Sequence, residues 1–218
     1  MNKAFHQLAP ILALKQMPKQ FQDFMIIDTH TEENIKYQSD LPDLIDKDNI
    51  EIDPFCKHSH SYKMELIDGV LKWKDGDALE KLKSLSGMAR DYYLEGDLDQ
   101  VRYCLSKLTH YLVDSKTFPH EHIGKPWSEY HQKYEDNMGH FLVKHQNDIG
   151  ILKFEEYKDV YKDSMNISKE LWYVGNDVVN DYINKKKLNE EIAMDVSRKC
   201  IKGIGDVWLT IALELKIL

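Results

Sequence analysis

At 218 residues and 25.7 kDa the chain is long enough to bury a sizeable core and too long to depend on disulfide staples. Its 42% apolar and 30% charged residues match a soluble globule, and no apolar run approaches the roughly 18 residues of a membrane span. With 29 basic against 37 acidic residues the formal charge is −8, which argues against a general basic face for duplex nucleic acid. An anionic substrate remains open, because divalent cations gathered in one pocket reverse the local potential.

The opening MNKAFHQLAP lacks the charged, then long apolar pattern of a secretory signal. Cys56, Cys104 and Cys200 are odd in number, widely spaced and in no C-x-x-C pair, the pattern of reduced thiols in a cytoplasmic protein. No repeat, low-complexity tract or Gly/Ser linker divides the sequence, so a single domain over 1–218 is expected.

Helical periodicity dominates. A first helix is expected near 3–16, with Pro10 as an irregularity. Residues 22–54, including Leu41-Pro42-Asp43 and the charged run from Asp46 to Asp48, read as a long functional loop region or a string of short helices. A helix is expected near 59–72. From 77 to 93, Asp77 and Glu80 precede Leu79, Leu82, Leu85 and Met88 at helical spacing. Gly96 ends that segment. Asp97 can then cap a helix over 97–115 whose apolar face is Val101, Leu105, Leu108 and Leu112, making a helical hairpin. Further helices are expected near 126–146, where Pro126 suits a first turn, and near 153–163, 167–185 and 188–217.

Ten histidines are the unusual feature of the composition, and His110, His120, His122, His131, His140 and His145 fall in one stretch. Residues four apart share a helix face, so His110 with Asp114 and His131 with Glu135 each aim an imidazole and a carboxylate at one point. Zinc takes both donor types, and catalytic zinc sites combine them while leaving a place for water. One such pair is commonplace. Two pairs flanking Pro119-His120-Glu121-His122 make a denser donor set than surface decoration requires.

This stretch resembles the zinc-dependent phospholipase C family and its relatives, the fungal single-strand-specific zinc nucleases. The shared pattern is H-Y-x-x-D, a histidine ten residues after the first, then H-x-x-x-[DE]. It is met by His110-Tyr111, Asp114, His120 and His131 with Glu135. Upstream, His6 and the pairing of Asp43 with His58 extend the likeness. The resemblance implies an all-α helical bundle around two or three zinc ions. Asp43, His58 or His60, His110 and Asp114 would hold one ion, and His120, or His122 by a one-residue shift, would hold a second with His131 and Glu135. His6, Asp114 and the chain terminus, here Met1 through its amine and carbonyl, would hold a third.

The activity implied is hydrolysis of a phosphodiester by zinc-activated water, with Asp43 as ligand and candidate base. The substrate would be a phospholipid head group or a nucleotide. Alternatives are a single-strand-specific zinc nuclease and a non-catalytic metal-binding protein of the same fold. The residue after Asp43 is Leu44 rather than an aromatic suited to a quaternary ammonium, so the head group stays open, as does the oligomeric state. His30, His140 and His145 fit no position of the pattern and read as structural or exposed. Trp127, Tyr130, Tyr134 and Trp172 read as core or pocket wall, and Lys185-Lys186-Lys187 as a solvated turn.

Overall fold

The structure is a computed structural model that describes residues 4–44, 63–75, 77–117, 127–159, 178 and 181–218. The fold is all-α: helices carry the buried apolar cluster, and one short hairpin is the only two-stranded sheet among the described residues. No described helix is long and apolar enough to cross a membrane.

Helix α1 (Ala4–Leu14) buries Phe5, His6, Ala9, Ile11, Ala13 and Leu14 and continues through Pro10. Proline has no N–H to give the carbonyl four residues back, so the helical bond to His6 is missing. Two short helices follow, α2 (Lys19–Met25) and α3 (Glu32–Asp40). The Thr31 N–H donates to Asn34 Oδ1 at 2.9 Å to start α3. Helix α3 runs directly into a 3-10 turn, Leu41–Asp43, with Pro42 in its first positions. Residues 22–44 are thus the short helices expected as one option for this region; residues 45–54 lie outside the described residues.

Helices α4 (Asp77–Glu95) and α5 (Leu98–Asp114) form the helical hairpin expected from Gly96 and Asp97. Gly96 takes φ 81°, a left-handed conformation that suits glycine, while the Asp97 carboxylate accepts from the Gln100 N–H at 3.2 Å. Helix α6 (Trp127–His145) continues into a 3-10 turn, Gln146–Asp148. The long α7 (Glu190–Glu214) starts at Asn189, whose side chain accepts from the N–H groups of Glu191 and Ile192. Its Trp208 is fully buried, donates from Nε1 to the Leu105 carbonyl at 2.8 Å, and packs on Phe21 with ring centroids 5.6 Å apart. This fixes the middle of α5, the helix that carries His110 and Asp114.

Two expected helices are corrected. The described part of 59–72 belongs to an antiparallel hairpin, β1 (Lys63–Ile67) with β2 (Val70–Asp75). Asp68 and Gly69 both have positive φ, 52° and 75°, the conformation of a two-residue hairpin turn, so the Asp-Gly pair between apolar runs outweighs the helical spacing. Residues 151–159, at the start of the expected 153–163 helix, run without helical structure along α7. Their N–H groups are taken by side chains instead: Leu152 by Gln16, Glu155 by Asp206 and Tyr157 by Thr210, at 2.7 to 2.9 Å. Of the expected 167–185 helix, residues 178 and 181–185 are described and helical.

Gly205 in α7 faces this strap closely: a Cβ there would lie 2.3 Å from the Phe154 ring. A Gly205→Ala protein is therefore expected to lose roughly 1–2 kcal/mol in urea unfolding, since overpacking outweighs the gain in helix propensity. His30 offers a second measurement. It is 1% exposed, shares a hydrogen bond with Ser106 Oγ at 3.2 Å, and its pKa is lowered to about 4 by burial and by Arg102, with Asp99 opposing. The unfolded chain takes up that proton near pH 6.5, the folded chain only near 4, so stability drops as the pH falls through this window. Replacing His30 with Gln, which keeps a partner for Ser106, should flatten the slope of unfolding free energy there; an unchanged slope would contradict this.

Candidate metal centre

The candidate donors come from four stretches of chain. His6 lies in the first turns of α1, Asp43 ends the 3-10 turn after α3, His110 and Asp114 lie one turn apart at the end of α5, and His131 and Glu135 one turn apart in α6. Helical spacing presents each pair on one face, and packing of α1 against α3, α5 and α6 brings the faces together.

His110 is fully buried, with Nε2 at 3.2 Å from Asp114 Oδ2 and 3.6 Å from Asp43 Oδ1. Its Nδ1 lies 2.9 Å from the Ser39 carbonyl. A carbonyl can only accept, so Nδ1 carries the proton and Nε2 faces the carboxylates, the arrangement that orients a histidine for a metal. His6 Nε2 is 3.5 Å from Asp114 Oδ1, and its ring stacks on His110 with centroids 4.4 Å apart. His131 Nε2 meets Glu135 Oε1 at 2.6 Å. Donor atoms of His6, Asp43 and His110 all lie within 4.8 Å of one another, as do those of His6, Asp114 and Glu135.

The two stacked imidazoles titrate in opposite directions. Burial is the largest influence on both and disfavours the charged ring. At His6 the charge of His110 adds to burial, and the pKa falls despite Asp114, Glu135 and Asp43. At His110 the carboxylates of Asp114 and Asp43, with hydrogen bonds to Asp114 and Ser39, overcome burial and raise the pKa to about 9. In the metal-free protein one positive ring therefore serves a group of carboxylates.

The donor chemistry fits zinc. Among the described residues imidazole nitrogens and carboxylate oxygens converge without a thiolate, the composition of catalytic rather than structural zinc sites. His6 Nδ1 is buried and without a hydrogen-bond partner among the described residues, so this ring still has donor capacity directed inside the protein. The structure groups His6 with Asp43 and His110 as closely as with Asp114 and Glu135, whereas the sequence pattern associates it with Asp114 and the Met1 terminus. Met1, His58, His60, His120 and His122 lie outside the described residues. Away from the centre, His145 Nδ1 pairs with Asp148 at 3.0 Å and His140 is exposed, in keeping with structural or surface roles. The Ser39 carbonyl was not legible in the sequence, since a backbone acceptor has no residue signature.

A similar fold is found in Clostridium perfringens alpha-toxin. The alpha-toxin of an avian strain superposes with a TM-score of 0.58 at 14% identity, over 97% of this chain and 63% of the toxin chain. The chain thus spans less than two thirds of the toxin's length, and the likeness at this identity is one of fold. No family model matches the sequence, and no curated protein matches it.

Metal analysis checks the donor set. His110→Ala and Glu135→Ala proteins are each expected to lose about one zinc equivalent or more relative to the parent, because each removes a donor from a site needing three or four. Full zinc retention in both would remove the assignment.

Proposed function

We propose that the chain is a zinc-dependent phosphodiester hydrolase of the phospholipase C type, acting as a single domain. The observation that supports this most is the convergence of His6, Asp43, His110, Asp114 and Glu135, from three helices and a 3-10 turn, into two donor groups that share His6. The H-Y-x-x-D and H-x-x-x-E spacings and the alpha-toxin-like fold support the same reading.

In this reading Asp43, His110 and Asp114 hold one zinc with His58 or His60. His131 and Glu135 hold a second with His120 or His122, and His6 and Asp114 a third with Met1. Zinc bound there would neutralise charge on a phosphate ester and acidify a water molecule. The protein supplies the rest. The Asp114 side chain is 1% exposed, with Oδ1 towards His6 and Oδ2 towards His110, so it would serve both sets of ligands without reaching solvent. His110 is kept in its Nε2-donor form by Ser39. The Asp43 side chain is 20% exposed, so it is placed to take a proton from an incoming water at a carboxylate oxygen. No protein nucleophile is needed.

Cytoplasmic location belongs to the same proposal and rests on the odd number and wide spacing of Cys56, Cys104 and Cys200 in the sequence. The function is tested with zinc-loaded protein on bis-p-nitrophenyl phosphate, phosphatidylcholine and single-stranded DNA. Turnover is expected on the diester and on phosphatidylcholine, lost on chelation, and falling steeply below about pH 6, where protons compete with zinc for imidazole. Hydrolysis of the DNA alone would transfer the reading to a nuclease. No turnover with full zinc content would leave a metal-binding protein.

A further inference from the structure

Two groups that are not themselves candidate ligands connect three that are. His110 is oriented by the Ser39 carbonyl. The next residue, Asp40, is 4% exposed, and its Oδ2 accepts from Gln7 Nε2 at 3.1 Å. Gln7 follows His6 in α1, and Asp43 closes the 3-10 turn that Asp40 begins. One hydrogen bond across 33 residues of sequence thus joins the helix carrying His6 to the turn carrying Asp43.

The start of α1 needs such a tie. Pro10 removes the donor that would hold the His6 carbonyl. The helix's own bonding is therefore weakened at His6, yet its Nε2 must stay near Asp114 Oδ1, 3.5 Å away.

We propose that Asp40, acting through Gln7, is a positioning residue that holds the His6 turn of α1 in register with Asp43 and His110 for metal binding. This rests on the reading of the cluster as a metal centre. Its expected size follows from other metal sites, where partners behind the ligands are worth about 10–100-fold in affinity.

The test compares the full chain with Asp40→Ala, Gln7→Ala, the double variant and Asp40→Asn. Zinc affinity is measured by competition with a chelator, the visible spectrum after cobalt substitution reports ligand geometry, and helix content and melting are recorded without metal. Asp40→Ala and Gln7→Ala are each expected to weaken zinc by about tenfold or more and to change the cobalt spectrum while helix content stays the same. The double variant should be no weaker than the poorer single one, because both remove the same bond. Asp40→Asn, which keeps an acceptor for Gln7, should restore most of the affinity.

Wild-type affinity in folded Asp40→Ala overturns the proposal, as do multiplying losses or an Asp40→Asn protein as weak as Asp40→Ala. Should Asp40→Ala fail to fold, Gln7→Ala alone decides. A parent protein that binds no zinc overturns the metal reading along with this one, whereas zinc binding untouched by every variant overturns the positioning role alone.

Discussion

Like charges taken out of water are tolerated only beside a counter-charge, and the centre of this protein is organised around that constraint. Asp114 is buried and Asp43 and Glu135 are partly so, with side-chain exposures of 1%, 20% and 12%. Their neighbours are imidazoles, which can answer with a proton or with a cation held jointly. The metal-free protein uses the first solution at His110, whose pKa stands at about 9. The stacked His6 ring cannot also charge, being buried against a positive neighbour. One proton on one ring is a partial answer for three carboxylates, and divalent ions held jointly, as proposed above, would be a fuller one.

That arrangement places demands on the helices. His110 and Asp114 point the same way because α5 is intact to its last turn, and α5 is held in place by the Trp208 bond to Leu105 from behind. The described donors therefore sit on helices and on one 3-10 turn. Ser39 and Asp40 serve them from the end of α3, one through a carbonyl and the other through a side chain. Positions of this kind hold donors more narrowly than loops do.

Much of the scaffold was legible in the sequence because it depends on local chemistry. Gly96 and Asp97 set the turn between α4 and α5, and the apolar face of α5 follows from its spacing. The misreadings have equally physical causes. At the hairpin, Asp68 and Gly69 both take positive φ, and that local turn chemistry is incompatible with a helix over 59–72. For residues 151–159 no local signal existed: helix or strap depends on whether Asp206 and Thr210, some 50 residues later, stand ready to accept the N–H groups. The close approach of Phe154 to Gly205 is likewise invisible until both are in place.

The sequence by itself determined which donors exist and which of them pair within a helix, because three- and four-residue periodicity is a local property of the backbone. His110 with Asp114 and His131 with Glu135 were fixed at that level. Only the tertiary structure decided that His6 stacks on His110, that Asp43 reaches it, and that Ser39 and the Gln7–Asp40 bond hold them so. Those contacts join residues tens of positions apart, and their geometry is set by how helices pack, which no single segment encodes.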